Sequence, residues 1–273
     1  MSQNFSSPSP IQPLSIGNVV TAGVRLYRSN LKTYLRLASQ AYLWVLLPIY
    51  GWAKYAAISG LISRLAFGEL INQPESVNTA RNQIEPRLWS FLRIMFQVGV
   101  SLFLIYIALA ILGGFVAGML GFILSSVLGS SGIIAIAVFT ALLILVIVLG
   151  GLTWFYSRWV IAEVPLAVEE NINGGESIAR SWDLTKTSVL RIQGIVVVAF
   201  VVTLPILILF SYLPQLLLLR LERGSFTYTI GYLITLLISL VGGVFVMPFW
   251  QTIKAVLYYD LRTRREGLGL KLR

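Results

Sequence analysis

The stretch ESIARSWDLTKTSVLRI, Glu176–Ile192, runs without interruption into QGIVVVAFVVTLPILILF, Gln193–Phe210. At helical spacing, Ile178, Trp182, Thr185 and Val189 share one face, while Arg180, Asp183, Lys186 or Thr187 and Arg191 share another. The second stretch carries no charge and opens an apolar run, about 194–219, that exceeds the ~20 residues needed to cross a hydrocarbon core. A charged amphipathic helix set directly against such a run reads as an elbow. It lies in the headgroup layer, apolar face down, and sets the depth and angle of the helix that follows.

The same arrangement occurs elsewhere in the chain. RLYRSNLKTYLRL spans Arg25–Leu37, RNQIEPRLWSFLRI spans Arg81–Ile94, and RSWDLTKTSVLRI spans Arg180–Ile192, each leading into an apolar run. The ends of the runs correspond as well. SRLAFGE places Arg64 five residues before Glu69, SRWVIAE places Arg158 five before Glu163, and Lys254 precedes Asp260 in a looser copy. These correspondences predict three repeat units, about 14–69, 75–163 and 176–262, each an elbow followed by a membrane hairpin. Arg158 and Glu163 read as an ion pair at a helix end, and Pro86 as the restart of the second elbow.

Composition sets the class. Charged residues make up 12% of the chain against roughly 25% in a soluble domain, and 57% are hydrophobic. Mean hydropathy is +0.82. Apolar stretches at about 94–124, 132–157, 194–219 and 228–257 are each long enough to span, and their continuous hydrophobicity excludes barrel strands. The start, MSQNFSSPSPIQPLS, has neither the basic nor the apolar region of a secretory signal. Residues 1–13 read as a disordered tail, 14–262 as one membrane domain, and 263–273 as a basic C-terminal tail.

Residues 37–63 are ambiguous, since one long helix would give five spans and a short hairpin turning at PIYG, 48–51, would give four. With the hairpin, all but three of the 21 Lys and Arg fall on one side, the exceptions being Lys54, Arg220 and Arg223. The positive-inside rule therefore favours four full spans plus a short N-terminal re-entrant hairpin, with elbows and C-terminus cytoplasmic. Its arms would hold only about 11–13 residues, or ~18 Å.

LSIGNVVTAGVRLYRSNLKTYLRL, AVEENINGGESIARSWDLTKTSVLRIQGI and the closing LYYDLRTRREGLGLKLR together resemble a bacterial family of polytopic membrane proteins, the glycerophosphoryl diester phosphodiesterase membrane-domain type. The resemblance covers nearly the whole chain and implies an elbow before each hairpin. Its members usually have about six hydrophobic segments, so the contracted first hairpin departs from the pattern. No soluble phosphodiesterase domain is expected here, and the resemblance carries no hydrolase activity across. It places the chain in a bacterial inner membrane, or in a thylakoid if the source is phototrophic.

Candidate chemistry is sparse. The chain has no His and no Cys, and none of its eleven acidic residues falls at the centre of an apolar stretch. Adjacent Glu169 and Glu170 point about 100° apart on a helix, poor for joint ligation. The carboxylates read as partners for nearby Arg, as Asp260 for Arg264. No enzyme, metal or cofactor is expected. Lys54 is the one clear charge inside an apolar region and marks a candidate transport site. Gly114 and Gly118 form a GxxxG pair assigned to packing within the chain, and Pro205 and Pro248 mark kinks or broken helices. A charge of +10, distributed as membrane flanks, points to anionic headgroups rather than nucleic acid. The expectation is a non-enzymatic scaffold or accessory protein. Its anionic lipid, protein partner or second copy would be held by Arg25, Arg28, Lys32 and Arg36 with Arg180, Lys186 and Arg191. A small-molecule or lipid transporter is the alternative.

Overall fold

The computed structural model describes residues 14–128 and 132–266. The tail expected over 1–13 lies outside the described residues, as do 267–273 of the expected C-terminal tail, whereas 263–266 continue the last helix. Among the described residues all regular structure is helical. In chain order the helices are α1 (Ile16–Ser29), α2 (Leu31–Val45), α3 (Tyr50–Leu70), α4 (Val77–Ile84), α5 (Leu88–Leu128) and α6 (Ile133–Trp159). They continue with α7 (Glu163–Val168), α8 (Gly174–Thr185), α9 (Val189–Leu207), α10 (Leu213–Leu218) and α11 (Phe226–Glu266). Four helical stretches are long and apolar enough to cross a membrane: Val77–Ser126, Ile134–Val168, Val189–Leu218 and Phe226–Glu266.

Burial divides the molecule in two. One part is a packed base built from α1–α4, the start of α5, α7, α8, the start of α9 and the carboxyl end of α11, with Tyr34, Ile62, Phe91, Ile161, Leu184 and Tyr258 almost fully enclosed. The other consists of two helical hairpins, α5–α6 and α9–α11. Their large apolar side chains, such as Phe103, Phe122, Val146, Val201 and Leu233, face outward. A water-soluble domain would enclose such residues, whereas lipid solvates them.

Helix α3 is the axis of the base. Residues Ala56–Ser63 are buried without a break, so this part of the helix has no exposed face, and α3 packs on α2, α5, α7 and α11. Small residues permit the close approach. A methyl group at Gly60 would come within 2.4 Å of the Phe91 ring.

The chain breaks between α2 and α3, so 37–63 falls in two packed helices and not in one continuous helix. The turn occupies 46–49, two residues before the expected PIYG. Its arms, 15 and 21 residues, exceed the expected 11–13 because the helices continue through polar residues that find partners inside the base. Tyr50 N–H donates to the Pro48 carbonyl at 2.7 Å around Ile49, which holds φ 61° and ψ −73°, the rare γ-turn of positive φ. Leu43, Leu46, Leu47 and Ile49 are exposed at this tip, and the Trp52 ring meets Phe96 near the start of the second apolar stretch.

Each of the three expected elbows is interrupted: at Asn30 between α1 and α2, at a 3-10 turn over Glu85–Arg87 that contains Pro86, and at Lys186–Ser188 between α8 and α9. Caps fix where several helices begin. Ser15 and Ser76 accept from the N–H groups of Asn18 and Thr79, and Asn173 with Glu176 forms a reciprocal capping box. The glycine expectation needs correcting. Among the described residues no side chain or other element comes within 4 Å of a Cβ position at Gly114 or Gly118, so neither packs against another helix there. Gly113 and Gly121 do so instead, against Ile144 and Ile136. Pro205 is followed by a π-helical turn over Ile208–Tyr212, but helix continues on both sides. Pro248 lies buried inside α11.

Candidate functional site

The cations of the elbows fall into two groups. On α1 and α2, Arg25, Arg28, Lys32 and Arg36 are all exposed, and among the described residues none has a carboxylate within 4 Å. The face opposite them is enclosed by Val19, Val20, Gly23, Tyr34 and Leu37, with Gly23 pressed on Ile253 of α11. Packing therefore presents this basic stripe to the surroundings.

The cations of the third elbow are mostly engaged. Arg180 meets Glu169 at 3.2 Å and also Glu266. Arg191 reaches Asp260 at 2.7 Å, and the same carboxylate takes Arg264 at 2.9 Å and the Leu14 N–H at 3.1 Å. Asp260 is 3% exposed, and these donors offset the cost of enclosing its charge. Lys186 is exposed and bonds Asp183 at 2.6 Å. That hydrogen bond, more than the nearby Arg charges, holds the Asp183 carboxyl below its ordinary range against the opposing effect of burial.

Lys54 forms an ion pair with Glu85 at 3.0 Å. The two line a cavity of about 140 Å³ together with Gln40, Trp44 and Arg81, where α2 and α3 face α4. It brings two cations and one carboxylate to the same place. The sequence indicated Lys54 alone, because Arg81 and Gln40 lie far from it in the chain and meet at 3.2 Å only after folding.

Arg158 does not pair with Glu163. Glu163 is 2.8 Å from Lys254, and Arg158 instead lies with its guanidinium 4.1 Å from the centre of the Trp182 ring. A helix end offers two side chains five residues apart no shared face, which explains the difference. The buried face of α8 also departs from expectation. It is Ser177, Ser181, Leu184 and Thr185 rather than Ile178 and Val189. Ser181 donates to the Arg158 carbonyl at 2.8 Å, and Thr185 reaches it at 3.3 Å. Ser177 donates to the Ala162 carbonyl at 2.6 Å and accepts from the Leu166 N–H at 2.9 Å. These hydroxyls satisfy the backbone where α6 ends and α7 begins, which a hydrophobicity pattern does not reveal. A further buried network, in which Gln251 of α11 accepts from Ser63 at 2.8 Å and donates to Ser59 of α3, was equally invisible.

Among the described residues no group of three or more His, Cys, Asp or Glu is placed to hold a metal ion. No protein-family model, curated protein or solved structure matches the chain.

Proposed function

We propose that this protein is a non-enzymatic membrane scaffold or accessory subunit, with Arg25, Arg28, Lys32 and Arg36 holding anionic lipid or an acidic partner at the cytoplasmic surface. The supporting observation is the contrast in pairing. Arg64, Arg180, Arg191 and Lys254 each have a carboxylate within 4 Å, whereas these four, adjacent on α1–α2, are exposed and have none among the described residues. Charges left unpaired on one stripe attract an external anion, at about 1 kcal/mol per Lys or Arg near a membrane surface.

In this reading the three elbows are copies of one module and rest at the same boundary. The α2–α3 hairpin enters only to the level of Phe96, its exposed Leu43, Leu46 and Leu47 in the acyl region. The resemblance to the glycerophosphoryl diester phosphodiesterase membrane-domain type agrees with this arrangement and carries no catalytic residue onto the chain. The competing reading, a transporter, is favoured by the cavity at Lys54.

The test is lipid enrichment in native-membrane polymer discs, quantified by mass spectrometry. Replacing Arg25, Arg28, Lys32 and Arg36 by Gln is expected to lower phosphatidylglycerol enrichment severalfold, whereas Lys54→Gln leaves it unchanged. Equal enrichment in the fourfold variant and the wild type would overturn the scaffold reading. Loss on Lys54→Gln alone would favour the transporter.

A further inference from the structure

Arg158 is the one basic residue with almost no exposure among the described residues, at 5%. It lies one residue before the end of α6, at the base end of a helix long enough to span. Its backbone carbonyl is satisfied by Ser181 and Thr185, but its guanidinium makes no hydrogen bond to any described residue and has no carboxylate within 4 Å. The Nε atom is enclosed and unpartnered. The two terminal nitrogens also have no partner among the described residues, and unlike Nε they are not fully enclosed.

Burying a guanidinium that makes no hydrogen bonds costs several kcal/mol. Every other cation drawn into the base has an oxygen partner: Arg64 has Glu75, Arg87 has the carbonyls of Leu166 and Glu169, Arg191 has Asp260 and Lys254 has Glu163. Stacking on Trp182 at 4.1 Å and on Trp154 at 5.8 Å compensates part of the cost and holds the planar group in one orientation. The edge that carries the two-pronged donor set meets no acceptor among the described residues.

The surroundings define what would fill it. The charges acting on Arg158 are those of Arg265 and Asp183. Asp183 is already bonded to Lys186 at 2.6 Å and lies 3.5 Å from Arg265, so the four groups together carry two positive charges in excess. Trp154 is 39% exposed on the outward face of α6, and both it and Trp159 lie against Trp182. Clustered Trp at the end of a spanning helix marks the headgroup level. A planar fork held by aromatic plates beside excess positive charge, at that depth, matches a phosphate oxyanion and accepts it through two parallel N–H···O bonds.

We infer that Arg158, clamped by Trp182, is the seat of a single phosphate group supplied by an anionic membrane lipid, whose acyl chains run down the outward face of α6. This site is separate from the α1–α2 stripe and does not depend on its role. Lysine would not replace the arginine, since an ammonium neither lies flat on indole nor presents a fork.

Native mass spectrometry of the full-length protein, delipidated in detergent, tests the inference by titration with four probes: phosphatidylglycerol, phosphatidylcholine, diacylglycerol and inorganic phosphate. The wild type is expected to retain one equivalent of phosphatidylglycerol, with phosphatidylcholine weaker and diacylglycerol not retained. Arg158→Gln should weaken that first equivalent tenfold or more, Arg158→Lys and Trp182→Leu should weaken it measurably, and the fourfold α1–α2 variant should keep it. Should Arg158→Gln not fold, Arg158→Lys decides, because it preserves the charge and loses the fork. Wild-type binding in Arg158→Lys, or retention of diacylglycerol, would overturn the assignment. Inorganic phosphate bound as tightly as the lipid would overturn the lipid as its source. Loss of the first equivalent in the fourfold variant alone would move the site to the stripe.

Discussion

Glu69 shows how a side chain at the end of α3 couples burial to proton binding. Burial lifts its carboxyl above the ordinary value of 4.5, and the hydrogen bond from Asn30 offsets only part of that rise. The folded protein therefore binds this proton more tightly than the unfolded chain does. Ionising Glu69 costs stability at neutral pH, and the cost disappears as the pH falls through the raised value toward the unfolded one. Glu69→Gln is expected to raise the Tm of the solubilised protein at neutral pH and to have no effect at about pH 4; a gain of the same size at both would exclude ionisation as its cause. The sequence placed Glu69 only as the end of a repeat, because its partner Asn30 sits at the distant break between α1 and α2. The Ser181, Thr185 and Gln251 contacts were hidden for the same reason. A hydroxyl that satisfies a distant carbonyl leaves no periodic trace, whereas the exposed stripe of Arg25, Arg28, Lys32 and Arg36 recurs at helical spacing and was legible.

Among the elements, the α2–α3 hairpin combines two local constraints. Ile49 occupies a backbone conformation that costs of order 1–3 kcal/mol for a side chain with a branched β-carbon. Two residues on, a Cβ at position 51 would lie 1.9 Å from the Trp44 carbonyl oxygen. Only glycine lets the two helices approach so closely there. Gly51→Ala is therefore expected to open the tip and lower the Tm by several degrees. Gly118→Ala, with no neighbour within 4 Å, should leave the Tm unchanged or raise it slightly, as replacing glycine inside a helix does. Equal losses from the two substitutions, measured by thermal unfolding in detergent, would refute the steric argument. The existence of a turn was readable from PIYG, and its position came within two residues. The arm lengths were not readable, since Ser59, Ser63 and Arg64 look like the end of an apolar run until their partners are known.

For the molecule as a whole, length and apolar continuity suffice to find four membrane-length helices, because the bilayer imposes one dimension on every segment that crosses it. Nothing comparable announces the base, whose core joins residues from both ends of the chain. Its charge distribution yields a test of sidedness. The absence of native Cys allows single cysteines at Asn18, Thr79, Asn173 and Ser225. The first three are expected to react with an impermeant maleimide from the cytoplasm and the fourth from the opposite face. Labelling of Asn18 together with Ser225 would place α1 across the membrane from α4 and α8 and refute the common boundary.

Asp260 receives the Leu14 N–H, Gln251 bonds Ser59 and Ser63, and Ile253 fills the space over Gly23. Helices α1 and α3 thus complete their packing only when the carboxyl end of α11 is in place. Until then the hydroxyls of Ser59 and Ser63 on α3 lack the Gln251 amide that they bond in the finished fold. A nascent chain halted before residue 250 lacks more than the end of α11, because the buried amide that ties α3 into the base is still missing.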